Sequence, residues 1–280
     1  MAQTQNYASA TLGVIDERLH LATKTADVVN KGGIRLDFNG RNSVTIYTVD
    51  TVAEVNYTRS GSNRFGALTE LGTGTQTFTL SQDKAFTFTV DRGNLEDSMM
   101  VQEANKAVKR QIAEVAVPAV DDYTLTVAHA SALANGYGAT AAVTTSNAYN
   151  KFLAQNDAMT EAKVPETGRY CFMTPATYSL LKQDSTFRLA CDTAYADLKK
   201  GIIGQVDGVT LIKVPSDLLP TNEVFLFIWD QVLIRPMKFN STRILTDVQG
   251  IDGAVAEGRR YYDVFIPSNK AVGLRYHLSA

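Results

Sequence analysis

Between Val44 and Val90, two β-patterned runs are separated by a glycine-rich stretch too long for any tight hairpin. The rising run, Val44-Thr45-Ile46-Tyr47-Thr48-Val49, alternates apolar residues with Thr, as strands of a half-exposed ribbon do. So does the returning run, Phe78-Thr79-Leu80 followed by Phe86-Thr87-Phe88-Thr89-Val90. Between them lie Tyr57-Thr58-Arg59-Ser60-Gly61-Ser62-Asn63-Arg64-Phe65-Gly66 and Leu71-Gly72-Thr73-Gly74-Thr75. Connections beyond roughly 12–15 residues without structure of their own are uncommon in compact domains unless they are functional or disordered. A two-stranded ribbon alone is marginal in water, because it has no second layer against which to bury a face. The arm is therefore expected to pack on another subunit, against the plainer expectation of a meander inside one domain with a floppy tip.

Composition narrows the classes further. The chain has 280 residues and 45% hydrophobic content, enough for one large domain or two modest ones. Its longest apolar run, Val224-Phe225-Leu226-Phe227-Ile228-Trp229, is far short of the roughly 20 residues that a membrane-spanning helix needs. The opening Met1-Ala2-Gln3-Thr4-Gln5-Asn6 has neither the basic flank nor the apolar core of a signal segment, so residence inside a cell is expected. Lys and Arg number 27 against 29 Asp and Glu, with no basic cluster, which disfavours direct nucleic-acid binding. Cys171 and Cys191 match no zinc spacing and are expected to be free thiols.

Along the chain, the first 35 or so residues read as an irregular arm, with one helical turn at Leu12-Gly13-Val14-Ile15-Asp16-Glu17-Arg18-Leu19 and an end at Lys31-Gly32-Gly33. The strongest helix signal opens between Asp91 and Asp97, with acidic residues in its first turn. Val101, Ala104, Val108, Ile112 and Val115 recur at steps of three and four, which predicts a long amphipathic helix with these residues inward. Pro118 is expected to kink or stop it before it resumes from Asp121 to Ala134. Asn135-Gly136-Tyr137-Gly138 marks the next boundary.

Ser146 or Asn147 then caps a helix carrying Ala148, Phe152, Leu153 and Met159. Arg169 to Met173 reads as a strand, and Thr174-Pro175 as the cap and first position of another helix. A short helix is expected at Ala194 to Lys200. Asp207-Gly208 sits between β runs Ile202–Val206 and Val209–Val214, as a two-residue hairpin with positive φ requires. Val224 to Trp229 reads as a strand buried on both faces. Three later β runs centre on Ile244, Tyr262 and Leu274.

No catalytic signature emerges. Gly72-Thr73-Gly74 lacks a third glycine and does not precede a helix, so it is no phosphate loop. His20, His129 and His277 have no second ligand at metal spacing, and there is no G-x-S-x-G elbow. Cys171 falls in an expected buried strand, the wrong setting for a reactive thiolate. Asp91, Glu96-Asp97 and Asp121-Asp122 are explained by helix capping, and Met99-Met100 by packing. The chain is expected to be neither an enzyme nor a cofactor or metal binder. A small α+β enzyme assembled from Glu96, His129 and Cys171 is the remote rival.

The order of arm, β loop, long helix, mixed central unit and late β returns resembles the major capsid proteins of tailed bacteriophages, the Hong Kong ninety-seven fold of class α+β. The resemblance spans nearly the whole chain. It is carried by Arg110-Gln111-Ile112-Ala113-Glu114, by Arg169 through Lys182, by Gly204-Gln205-Val206-Asp207-Gly208-Val209 and by Arg260-Tyr261-Tyr262-Asp263-Val264-Phe265. It implies an N-terminal arm at 1–38, an extended loop at 39–92, a peripheral domain with a spine helix at 93–144 and 236–280, and an axial domain at 145–235.

It further implies pentamers and hexamers of this chain closing into an icosahedral shell around double-stranded DNA, assembled in a host cytoplasm, without sequence-specific DNA binding or a membrane. Arg59, Asn63, Arg64, Phe65 and Glu70 at the loop tip become the expected subunit interface, and Pro118 and Gly136 the expected flex points. Some members of the family join subunits covalently through a loop lysine. Here Arg59 and Arg64 are the only basic residues between Val55 and Asp83, so no crosslink is expected. No room is left for the long scaffolding segment with which many members begin, so a separate scaffolding protein, or none, is expected beside portal and decoration proteins. An encapsulin, a bacterial compartment shell of the same fold, is the alternative, and a cargo-binding inner groove would mark it.

Overall fold

A computed structural model describes residues 23–31, 37–39, 42–97, 104–185, 204–246 and 248–280. The turn expected at Leu12–Leu19, Gly32-Gly33, His20, Met99-Met100, Val101, Cys191, the helix at Ala194–Lys200 and Ile202-Ile203 lie outside the described residues. The chain divides into two compact units, residues 33–81 and residues 1–32 with 82–280.

The smaller unit is a three-stranded antiparallel sheet of β1 (Asp37–Asn39), β2 (Ser43–Val49) and β3 (Thr73–Thr79), in that order. The register runs from Ser43 opposite Thr79 to Val49 opposite Thr73. Val44, Ile46 and Leu80 are buried at one end of the ribbon, whereas Tyr47 and Val49 are exposed towards the other. Beyond Val49 the chain runs through residues 50–72 without regular secondary structure.

The returning run is therefore split. Thr73–Thr79 closes the ribbon, but β4 (Gln82–Asp91) belongs to the larger unit, where it pairs over ten positions with β11 (Gly253–Tyr262). β10 (Met237–Leu245) completes this sheet in the order β10-β11-β4. The reach expected for the loop, 39–92, thus changes sheets at Ser81. A ladder of ten pairs satisfies more backbone groups than the seven that β2 offers β3.

After α1 (Arg92–Asp97), the helical segment comprises α2 (Ala104–Gln111), a π-turn at Ile112–Ala116 and α3 (Val117–Ala134). Asp91 Oδ1 accepts from the backbone N–H groups of Gly93 and Asn94 at 2.9 and 3.3 Å, as the capping reading required. Pro118 does not stop the helix. It lies in the first turn of α3, where its missing N–H follows the π-turn, and Val117 N–H reaches back five residues to Ile112 O. The wide turn rotates the apolar stripe. Val108 is buried as expected, but Ile112 is 37% and Val115 49% exposed, while Ala116, Val120 and Leu125 face inward.

The second sheet has the order β5-β12-β9-β6-β8-β7. Its strands are β5 (Gly138–Thr140), β6 (Arg169–Met173), β7 (Gln205–Val206), β8 (Val209–Lys213), β9 (Glu223–Trp229) and β12 (Leu274–Leu278). Helices α4 (Ala148–Glu161) and α5 (Pro175–Gln183) complete it. Alternation in β9 fills both faces. Leu226 and Ile228 join Leu125, Ala128 and Ala132 of α3 on one side, and Phe225 and Phe227 join Phe152, Met159 and Leu181 of α4 and α5 on the other. The strand is central because it can be buried on both faces.

Local signals translate directly. Thr174 Oγ1 accepts from Thr177 N at 3.3 Å, and Asp207 and Gly208 take φ of 48° and 75° between β7 and β8. Gly136, with φ of 67°, closes α3 through Gly136 N to Leu133 O and Tyr137 N to Ala132 O. The late returns do not share a sheet. β11 pairs with β10 on one side and β4 on the other, but β12 inserts between β5 and β9, so the stretch assigned to 236–280 divides between two sheets.

Candidate functional site

The loop at 50–72 is held by a few local bonds. Thr58 N donates to Arg64 O at 3.0 Å, Gly66 N to Asn63 O at 3.1 Å and Arg64 Nε to Gly61 O at 3.2 Å. Gly61 and Gly66 adopt φ of 95° and 85°, and a Cβ at Gly66 would lie 2.7 Å from Val55 Cγ2. The Phe65 ring meets Tyr57 edge to face with centroids 4.9 Å apart.

Arg59, Asn63, Arg64, Phe65 and Glu70 are all exposed and lie in this one loop. Beside Phe65 stand apolar neighbours that sequence reasoning passed over. Leu68 is 104% exposed and Phe65 82%, with Val52, Val55, Tyr57 and Leu71 above 50%. Six large apolar side chains stand exposed on one irregular segment, whereas apolar residues exposed singly need no explanation. Their presence in a Gly-, Ser- and Thr-rich run was the available signal.

The larger unit offers a different surface. Across β4, β11 and β10, Arg259 grips Asp83 through Nε–Oδ1 at 2.9 Å and Nη2–Oδ2 at 2.5 Å, and Arg243 Nε donates to Glu257 at 2.7 Å. The Arg259 hydrogen bonds lower the Asp83 carboxyl below its ordinary value. Arg260 Nη1 donates to Ala116 O at 2.8 Å, stitching the π-turn to β11. Between this helix and the sheet, Ile112, Val117, Phe86 and Met237 line a groove of about 220 Å³ with Thr23 on its rim.

Three buried polar clusters organise the body. Asp121, read above as a helix-start residue, is instead a buried acceptor. It takes Thr23 Oγ1 at 2.9 Å, Lys24 N at 2.7 Å and Thr25 Oγ1 at 2.6 Å, while Arg235 Nη1 donates to Thr25 and Thr124. This fastens residues 23–31 across the body, where Val28 and Val29 are buried.

Arg169, buried in β6, donates to the carbonyls of Val164, Pro165 and Asn156, to Asn156 Oδ1 and to Thr160 Oγ1. Desolvation lowers its pKa. His129 Nδ1 contacts Glu223 Oε2, and burial raises the Glu223 carboxyl.

Glu96 lies exposed beside Arg92 at 3.4 Å, His129 is engaged with Glu223, and burial pushes the Cys171 thiol well up. Glu96 thus has a different partner from His129. Among the described residues no group of three or more His, Cys, Asp or Glu is placed to hold a metal ion, and no helix is long and apolar enough to cross a membrane.

No protein-family model matches the chain, and no curated protein matches it in sequence. Solved structures do. The capsid structure of cyanophage P-SCSP1u is similar with a TM-score of 0.76 at 14% identity, covering 98% of this chain and 93% of that one. A structure from Microbacterium phage Oxtober96 is similar with a TM-score of 0.70 at 10% identity, over 98% and 96% of the two chains. The mature capsid of bacteriophage PhiM1 gives 0.68 at 11% identity, over 98% and 92%. Over almost its whole length, then, this chain has the fold of phage capsid structures, the Hong Kong ninety-seven type that its sequence resembles.

Proposed function

We propose that this chain is the major capsid subunit of a tailed phage, a non-enzymatic building block that joins other copies of itself in pentamers and hexamers and encloses double-stranded DNA. The observation that carries the reading is the match of 98% of the chain to phage capsid structures, with no large segment left over for another activity. The loop at 50–72 supports it independently, because a lone subunit gains nothing from holding Phe65 and Leu68 in water. In this reading 39–92 reaches an adjacent copy, 93–144 and part of 236–280 form the peripheral domain, and 145–235 the axial domain. Pro118 and Gly136 are its flex points. Repeated weak contacts then suffice, because each subunit makes several. The near-neutral charge fits a wall that confines DNA without reading it. Scaffolding, portal and decoration proteins are separate partners, and the finished product is the virion.

The test is to express the chain alone and with its phage's scaffolding protein, and to image the products by electron microscopy. Closed shells, tubes, or rings of five and six support the proposal. Shells filled with a host enzyme favour an encapsulin instead, and a compact monomer under both conditions overturns the reading.

A further inference from the structure

The loop at 50–72 carries its own framework. Asp50 N donates to Gly72 O at 2.9 Å, closing the base of the loop where it leaves and rejoins the ribbon. At the tip, Asn63-Arg64-Phe65-Gly66 is a tight turn closed by the Gly66 N–H on Asn63 O, with Asn first and Gly last as such turns prefer. The Thr58 N–H on Arg64 O ties this turn to the outgoing chain, and Arg64 Nε on Gly61 O spans the bend between them.

These bonds aim one side chain. Phe65 meets Tyr57 edge to face, the arrangement that aromatic pairs favour, and remains 82% exposed. Gly66 follows it with a φ of 85°, at a point where a Cβ would press on Val55. A tip ordered before contact spares the contact the entropy of ordering it, so more of the apolar gain is left for binding.

We propose that residues 57–66 are a preformed knob, in which Tyr57 and Gly66 are positioning residues that present Phe65 to a second copy of this chain. The identity of the partner rests on the capsid reading, whereas the order of the tip does not. On contact the tip keeps the shape that it has in the free subunit.

Hydrogen exchange on the isolated full-length chain reads the tip alone. The amides of Thr58 and Gly66 should exchange about tenfold more slowly than in an unstructured chain, both in the parent and in Tyr57→Phe, which keeps the ring. In Tyr57→Ser and Gly66→Ala they should exchange at the unstructured rate. All four proteins should share one unfolding midpoint, because the tip lies outside the buried core. Exchange at the unstructured rate in the parent would overturn the knob whether or not shells form.

Sedimentation then reads the contact. The concentration needed for assembly should rise about tenfold in Tyr57→Ser and Gly66→Ala, and return to the parent's in Tyr57→Phe. Equal assembly of all four would overturn the positioning role and leave the capsid reading standing. A parent that stays monomeric beside its scaffolding protein would overturn the capsid reading and, with it, the second copy as partner, even if its tip is ordered.

Discussion

Gly138 and Tyr276 approach so closely that a Cβ at position 138 would lie 2.2 Å from the Tyr276 carbonyl oxygen and 2.6 Å from its ring. The two residues face each other in the parallel β5–β12 pair. Gly138→Ala has nowhere to put its methyl without separating the strands, and is expected to cost about 1–3 kcal/mol, as overpacking does. Thermal or urea unfolding reads this directly, and an unchanged midpoint would show that the strands yield freely.

Arg169 is a buried cation surrounded by neutral acceptors. Arg169→Met keeps its length but leaves the carbonyls of Val164 and Pro165 and the Asn156 side chain without their donor, a loss of roughly 3 kcal/mol or more. Arg169→Lys should recover only part, because one ammonium does not reproduce the planar fork. If Met and Lys variants unfold at the parent's urea midpoint, the cluster is not a stabilising one.

His277 sets an acid limit. Burial lowers its pKa from the ordinary 6.5, the Ala141 carbonyl on Nε2 at 3.1 Å works against this, and Lys151 adds to the lowering. A lowered pKa means that the unfolded chain takes up the proton first. Stability is therefore complete above pH 6.5 and is lost as pH falls through the lower folded value, at up to about 1.4 kcal/mol per pH unit. Glu223 acts in the reverse sense. Its raised pKa contributes most below 4.5 and fades as pH rises through the folded value. His277→Gln should flatten the decline below pH 6.5, and a slope parallel to the parent's would remove His277 as its source.

In the loop, Leu68→Asp and Phe65→Ala should change the unfolding midpoint of the isolated chain by no more than about 0.5 kcal/mol, since neither side chain is buried. Under the capsid proposal both should reduce assembly sharply, as measured by sedimentation. Normal shells from Leu68→Asp would release the loop from that role.

Assembled material boiled in detergent is expected to run as single chains, because the loop at 50–72 contains no lysine. A ladder of covalent oligomers would contradict this.

How much of this was legible beforehand depended on where the determining forces act. The Asp207-Gly208 turn, the Thr174 cap and the double-faced strand at Val224–Trp229 are decided within a few residues, and all three are present as read. The split at Ser81 was hidden, because β4 reads as a ribbon strand but is claimed by a partner some 170 positions later in the register. Val115 turned outward because a π-turn has no simple side-chain signature, although Pro118 hinted that the winding must change. Asp121 looked like an ordinary first-turn acid, and only its distant partners at Thr23 and Thr25 reveal its burial. Of the candidate surface, the tip was read from its glycines, whereas the exposure of Leu68 and Val55 went unread, since apolar residues by themselves suggest a core and only the Gly-, Ser- and Thr-rich setting argues otherwise.

The place of β12 has a consequence for synthesis. β5, β6 and β9 are all made before Leu274–Leu278, yet in the finished sheet the seat between β5 and β9 belongs to that last strand. While the intervening residues leave the ribosome, β9 carries an unpaired edge beside its hydrophobic faces, a template open to any strand that arrives first. Crowded polysomes would put copies of Leu274–Leu278 from neighbouring nascent chains within reach, so the yield of correctly closed sheets should rise when initiation is slowed and the nascent chains are spaced further apart.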